Sequence, residues 1–321
     1  MTPINKILSG VLALQVVVAA ITWVPRGSGP SEPSPLMTAS AADITRITIV
    51  GRTSPELEDE PDQVTLSRAE AGWSIEDLGG YPADVSKVDE VLESLASLVG
   101  RSPTATTVAS HYSLQVADDT FTRKITLTTA EGEQVLYIGA ATGSGLHVRD
   151  GKSEDVYTTR GVSAWSIADQ DRRYFDTKYL VHTADQIDSF RVKNLQGDHT
   201  LIKVGDAWQE EGALDPAAIE ASEAASLVRT LMNLRVDTPT SAEPLPEHGL
   251  GGSVRVEWTV TEDETTTSHG YTVGAPSSEG KRYVRSDADG AWVIEVLDST
   301  VARAVDTEFA FLGALGAPLE E

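Results

Sequence analysis

The feature that most constrains the fold of this chain is an internal repeat. Residues 43–180 and residues 185–315 carry the same series of sequence signals, displaced by about 135 positions. Each copy opens with an acidic residue and a short alternating strand, and a second strand leads to a tryptophan, which is Trp73 in one copy and Trp208 in the other. Chance does not align a whole series of this kind, so the sequence predicts two similar domains in tandem.

An amphipathic helix follows the tryptophan in each copy. The first helix is predicted after Asp84, a good N-cap, because valine and leucine recur at three- and four-residue steps from Val85 to Val99. Asp215-Pro216 supplies an N-cap and a first-turn proline for the helix of the second copy. Short strands with glycine turns surround each helix, so the predicted fold class is α+β, an antiparallel sheet covered on one face by a helix.

The amino terminus predicts a membrane anchor. Residues 7–24 (ILSGVLALQVVVAAITWV) form an uncharged, mostly apolar run. A helix of this length spans about 27 Å, which is just enough to cross the hydrocarbon core of a bilayer. Two alternatives remain open: cleavage as a signal peptide near Ala19-Ala20, and a buried helix of a soluble protein.

Charges on either side of this segment give it an orientation. Lys6 and the terminal amine outweigh Arg26, which favours a cytoplasmic amino terminus and places the body of the chain outside. The stretch that follows is rich in proline, serine, glycine and alanine and lacks apolar periodicity, as a flexible tether does. The predicted organisation is a transmembrane anchor at 1–24, a tether at 25–42, a first α+β domain at 43–183 and a second at 184–321.

The composition excludes one class of partner. The chain has 49 Asp and Glu against 25 Lys and Arg, a formal net charge of −24, and a sequence pI near 4.5. Nucleic-acid affinity comes largely from Lys and Arg that displace counterions, and no basic stripe is present. The chain has no cysteine, which excludes disulfides, thiol catalysis and thiolate metal sites.

The order of the motifs resembles that of an uncharacterised bacterial family called domain of unknown function 4340. The motifs that carry the resemblance are the strand Trp73-Ser74-Ile75, the helix capped by Asp84, the triplets Tyr112-Ser113-Leu114 and His248-Gly249-Leu250, the paired strands Tyr137-Ile138-Gly139-Ala140 and Thr272-Val273-Gly274-Ala275, the strand Tyr283-Val284-Arg285 and the strand Val156-Tyr157. The chain departs from the pattern at the acidic insertion 56–62 and at Ser113, where the triplet lacks its glycine. The resemblance implies an accessory subunit outside the membrane, associated with ABC-type transporters of the gliding-motility kind, and it supplies no catalytic residues.

Four tryptophans are the candidate binding residues: Trp73, Trp208, Trp258 and Trp292. Indole rings form stacking platforms for sugars, but tryptophans on strands more often belong to a core or a sheet face. Both interpretations remain open from the sequence.

The sequence predicts no catalytic, cofactor-binding or metal-binding residue. None of its six histidines forms an H-x-H or H-E-x-x-H spacing. The acidic run 56–62 is expected to be a solvated loop, with a weak cation site as the alternative. Asp287-Ala288-Asp289-Gly290 resembles the start of a calcium loop but lacks the downstream glutamate, so a hairpin turn is expected.

Two functions follow as expectations. The first is a non-enzymatic, single-pass, membrane-anchored accessory subunit on the extracytoplasmic side of the cytoplasmic membrane, with a membrane-protein partner such as a transporter permease. The second is an envelope module that binds a glycan or a small ligand in a groove between the two copies.

Overall fold

The computed structural model describes residues 32–57, 59–70, 72–143, 145–211, 221–252, 254–278 and 280–305. These residues form 19 β-strands, three α-helices and several short 3-10 turns. The predicted anchor lies outside the described residues. Within them, no helix is both long enough and apolar enough to cross a membrane.

Both halves of the chain consist mainly of strands, with a few helices between or after them. The strands of the first half are β1 (Ser34–Pro35), β2 (Ile44–Val50), β3 (Gln63–Ala69), β4 (Gly72–Ile75), β5 (Tyr81–Pro82), β6 (Val99–Gly100), β7 (Pro103–Ala105), β8 (Arg123–Thr129), β9 (Gly132–Thr142), β10 (Gly145–Asp150) and β11 (Val156–Arg160). The strands of the second half are β12 (Ser189–Lys193), β13 (Asp198–Val204), β14 (Ala207–Glu210), β15 (Thr238–Ser241), β16 (Arg255–Glu262), β17 (Thr265–Pro276), β18 (Lys281–Ser286) and β19 (Val293–Leu297). The helices are α1 (Val85–Ala96), α2 (Ala221–Met232) and α3 (Asp298–Val305).

The long strands form two antiparallel sheets with the same order of elements. The first sheet has nine strands in the order β5-β4-β3-β2-β8-β9-β10-β11-β7, and the second has eight in the order β14-β13-β12-β16-β17-β18-β19-β15. Apart from β5, each strand of the first sheet has a counterpart at the same place in the second. The predicted α+β class with antiparallel sheets is therefore confirmed.

The helix α1 begins and packs as its sequence predicts. The Asp84 side chain accepts a hydrogen bond from the Ser86 amide at 2.9 Å and caps the helix. The buried face of the helix consists of Val88, Val91, Leu92 and Leu95. These residues belong to a contiguous hydrophobic core that includes residues of both halves of the chain.

A glycine in the same strand of each sheet explains one of the repeated motifs. A Cβ on Gly139 in β9 would collide with the carbonyl oxygen of Leu114, and a Cβ on Gly274 in β17 would collide with that of His248. In both halves, the turn that carries the tyrosine or histidine triplet lies directly against this strand. Glycine is required there because the two backbones approach each other too closely for any side chain.

The first residues that the structure describes are attached to the first sheet. Ser34 and Pro35 pair with Gly100 and Val99, so β1 and β6 form a small two-stranded sheet. Leu36 is only 8% exposed, and its amide donates to the Leu98 carbonyl at 2.9 Å. This part of the predicted tether 25–42 is therefore packed against the domain, because its apolar residues find a partner that local composition does not reveal.

Candidate functional site

A cleft of about 560 Å³ opens where the two halves of the chain meet. One side comes from β5 and from residues 176–182, which join the halves. The other side comes from β16, β17 and the turn between β18 and β19. Its aromatic and imidazole side chains are Tyr81, Tyr179, Trp258, Trp292, His182 and His269.

Two tyrosines and a tryptophan form the first wall of the cleft. The ring of Tyr81 meets the ring of Trp292 edge-on, with centroids 5.3 Å apart and planes at 81°. The Tyr179 hydroxyl donates to the Trp292 carbonyl at 2.6 Å and accepts from the Ser286 amide at 2.8 Å. Tyr179, from the segment that joins the halves, thus fixes the β18–β19 turn. Tyr81, from the first sheet, completes the wall.

Trp258 and two histidines form the second wall. The Trp258 indole N–H donates to His182 Nδ1 at 3.3 Å, which requires that nitrogen to be unprotonated. The His269 ring stacks near that of Trp258 at 6.0 Å between centroids, and it lies 4.4 Å from the ring of His182. The Thr267 hydroxyl is 3.0 Å from His269 Nε2. The Trp258 and His269 rings are therefore nearly parallel, with planes at 24°, while the His182 ring meets the Trp258 ring edge-on at 70°.

Carboxylates and one ammonium group surround the aromatic walls. Asp176, Asp289 and Lys178 are exposed at the rim. Asp287 is also at the rim, but both its oxygens contact the Arg255 guanidinium, so that carboxylate is already paired.

Burial determines the ionisation of the walls. It raises the pKa of Tyr81 to about 12, with a smaller contribution from the Asp176 charge, and it raises the pKa of Tyr179 to about 12. Burial also lowers the pKa of His182 below its usual value of 6.5, and the neighbouring His269 adds to this. At neutral pH the walls therefore carry the neutral phenols of Tyr81 and Tyr179 and the neutral imidazole of His182.

The four candidate tryptophans divide into two pairs. Trp258 and Trp292 line the cleft. Trp73 and Trp208 do not line it, and all three of Trp73, Trp208 and Trp258 belong to the hydrophobic core, with exposures of 5%, 6% and 3%. The difference follows from position, because Trp73 and Trp208 occupy equivalent strands, β4 and β14, at corresponding sheet margins under the helices.

The remaining polar candidates have structural partners. His111 Nε2 lies 2.9 Å from the Glu154 carbonyl, and His248 Nδ1 accepts from the Leu245 amide at 3.0 Å. Residues 287–290 form a turn closed by the Ala291 amide on the Ala288 carbonyl at 3.0 Å, with Gly290 at a φ of 69°. Across the described ranges, no group of three or more histidine, aspartate or glutamate side chains is arranged to hold a metal ion.

Sequence reasoning missed the part of the site that comes from the joining segment. Tyr179 lies at the end of the first predicted repeat and His182 lies between the two repeats, where no periodicity or motif marks them. Tyr81 lies in the edge strand β5 of the first sheet, far along the chain from Trp292. Only the packing of the two halves brings these residues together.

Together these features define an α+β protein of two matching antiparallel sheets with an aromatic cleft at their junction. The chain belongs to the family described as domain of unknown function (DUF4340), whose model matches residues 73–251. The matched region begins in β4 of the first sheet and ends after the 3-10 turn Pro246–His248 of the second half, so it takes in parts of both sheets. Searches of curated proteins and of solved structures each found no match.

Proposed function

We propose that this protein is a non-enzymatic binding module of the cell envelope, and that its ligand site is the aromatic cleft between the two halves. The observation that carries the proposal is the pair of ring-lined walls, formed by Tyr81 with Trp292 and by Trp258 with His269. Ligand sites are typically concave and mostly apolar, with a few placed polar groups, and the volume of this cleft is within their usual range of about 300–1,000 Å³.

The ligand class that fits is a small molecule or glycan with a flat, weakly polar face and several hydroxyl groups. A sugar ring packs its C–H face on an aromatic ring, while its hydroxyls bond to carboxylates and imidazoles. The exposed Asp176, Asp289 and Lys178 provide such groups at the rim.

Binding rather than catalysis is supported by what the ionisable groups already do. The Tyr179 hydroxyl is held by two backbone groups, and Arg255 holds Asp287. Tyr81 and Tyr179 are neutral phenols at physiological pH, and burial, which raises the pKa of each to about 12, makes loss of the proton harder still. A group fixed in this way is suited to shaping a site rather than to moving protons.

The test is a titration of the full-length chain with a panel of envelope glycans and small ring-bearing ligands. Binding is measured by intrinsic tryptophan fluorescence and by calorimetry. We expect Trp292→Leu and His269→Ala each to weaken binding by about tenfold or more, a loss of about 1.4 kcal/mol or more. His269→Ala is the variant less prone to perturb folding, because His269 is only partly buried. Trp165→Phe, which changes an exposed tryptophan outside the cleft, is the matched control and should bind like wild type. Flat titrations across the whole panel would remove the proposal.

A second candidate function concerns the membrane complex to which the protein belongs. We propose that the protein is a single-pass accessory subunit on the extracytoplasmic side of the cytoplasmic membrane, anchored by residues 7–24, in an ABC-type transport or gliding-type complex. The predicted anchor and the resemblance to the family support it, and so does the packing of residues 34–37 on the first sheet, which leaves a short connection to the bilayer. Purification from its own membranes in mild detergent should recover a permease or auxiliary membrane component with the chain. Recovery of the chain alone under every gentle condition would contradict this role.

A further inference from the structure

Trp165 differs from the other tryptophans that the structure describes in being almost fully exposed. It is 84% exposed, whereas Trp73, Trp208 and Trp258 are between 3% and 6% exposed, and Trp292 is partly buried. Tryptophan is the largest side chain, so its exposure leaves an unusual amount of apolar surface in contact with water.

The backbone around Trp165 is fixed, so this exposure is built into the fold. Trp165 lies in a 3-10 turn, Ala164–Ser166, whose cap Ser163 accepts from the Trp165 amide at 3.3 Å. Ala164 before it is 9% exposed and Ile167 after it is fully buried. The Arg123 side chain donates to the Ile167 carbonyl at 3.0 Å. A turn held on both sides in this way presents the indole outward.

Trp165 lies near β1, the short strand by which the first described residues are attached to the first sheet. It shares a surface groove of about 450 Å³ with Ser94 and Ser97, at the carboxyl end of α1. Ser97 is followed by Leu98, whose carbonyl accepts from the Leu36 amide. The surface that carries Trp165 is therefore adjacent to β1, the first strand after the predicted anchor.

The connection to the predicted anchor is short. From residue 24 to Ser34 a fully extended chain reaches at most about 35 Å. A protein anchored by residues 7–24 would therefore keep the β1 end of the first sheet within about 35 Å of the end of its anchor.

The charges around Trp165 differ in balance from those of the whole chain. Lys87 and Arg173 line its groove together with Glu90 and Glu93. Two basic residues therefore face two acidic ones in this groove, although the chain as a whole carries a formal net charge of −24. Electrostatic repulsion from anionic lipid is therefore smaller at this groove than the net charge of the chain implies.

We infer that Trp165 inserts into the headgroup region of the membrane that holds the predicted anchor, and so fixes the orientation of the first sheet on the bilayer. The inference rests on the anchoring proposed above. Tryptophan favours this interface because its ring is apolar and its N–H bonds to headgroups and water. A protein partner would need an apolar patch around the anchor residue, whereas the groove beside Trp165 is mainly serine and charged side chains.

The test uses fluorescence quenching by brominated lipids in vesicles of phosphatidylcholine and phosphatidylglycerol that contain the full-length chain. Trp23 lies in the predicted anchor, so Trp23→Phe isolates the contribution of Trp165, and Trp165→Phe isolates that of Trp23. We expect lipids brominated near the headgroup to quench Trp23→Phe much more strongly than Trp23→Phe/Trp165→Phe. The matched control Trp23→Phe/Trp292→Phe, which removes the cleft tryptophan, should keep the full lipid quenching.

The outcomes separate the inference from the proposal on which it rests. If Trp23 is quenched in Trp165→Phe but Trp165 is not quenched in Trp23→Phe, the anchor stands and the inference fails. If neither is quenched, the anchoring fails and the inference with it. Trp165→Phe should unfold at the wild-type denaturant midpoint, so that any loss of quenching is assigned to the missing indole.

Discussion

Gln134 holds the first described segment of the chain against the first sheet. Gln134 is 7% exposed, and its Oε1 accepts from the Thr38 amide at 2.9 Å and from the Thr38 hydroxyl at 3.1 Å. Its Nε2 donates to the Leu36 carbonyl and to the Asp150 carboxylate, each at 2.8 Å. One side chain thus satisfies backbone groups of a segment almost a hundred positions away.

Replacing Gln134 with leucine removes these bonds at nearly constant volume. A net hydrogen bond contributes about 0.5–1.5 kcal/mol, so the three to residues 36–38 together contribute about 2–4 kcal/mol, and the Thr38 amide is left without its partner. We expect the free energy of unfolding of Gln134→Leu to fall by about this amount. We expect Gln134→Glu to lose a similar amount, because an oxygen then replaces the Nε2 donor opposite Leu36 O and the Asp150 carboxylate.

The assays are urea unfolding and amide hydrogen exchange. Exchange at residues 36–39 should accelerate more than exchange in β8 or β9, because the segment opens locally before the sheet does. Gln170→Leu is the matched control, since the Gln170 side chain bonds to Asp62 at 2.9 Å on the exposed surface. Its effect should stay within about 0.5 kcal/mol. Wild-type stability and unchanged protection in Gln134→Leu would refute the reasoning.

Three further predictions follow from particular contacts. Gly139→Ala and Gly274→Ala should each lower the free energy of unfolding by at least about 2 kcal/mol, because the new Cβ meets a carbonyl oxygen, whereas Gly251→Ala has open space and should be nearly neutral in urea unfolding. Leu95→Ala should cost about 2–5 kcal/mol in the same assay, because the side chain is fully buried in the core, and a smaller loss would mean that the site collapses around the cavity. Burial lowers the pKa of His147 below 6.5, so below that pH the unfolded chain binds more protons than the folded one and the free energy of unfolding should fall on acidification. His147→Gln should flatten that part of the plot of stability against pH, and an unchanged slope would contradict the prediction.

Local sequence signals predicted the elements well wherever the residues that decide them are close in the chain. The cap at Asp84 and the buried stripe through Leu95 lie where periodicity places them. The helix nevertheless ends at Ala96, and Val99 starts strand β6, because Val99 pairs with Pro35 of the amino-terminal segment. That pairing is invisible in a local window.

The candidate site could be predicted only in part. Trp258 and Trp292 are two of the four tryptophans that the sequence predicts as candidates, and they line the cleft together with Tyr81, Tyr179 and His182. The sequence offered no reason to single out the last three. Each becomes part of the site through a contact with the other half of the chain or with the joining segment.

The sequence by itself determined the matched series of strands and helices, the α+β class and the strong negative charge, because these depend on periodicity, turn residues and composition. The tertiary structure alone decided which of several similar aromatic residues are buried, which line a cleft and which face solvent. Trp73 and Trp165 illustrate the difference, since one is 5% and the other 84% exposed. Periodicity identifies the face of an element that is to be buried, but the surface that covers it comes from residues far away in the chain, and their positions are fixed only when the two sheets pack.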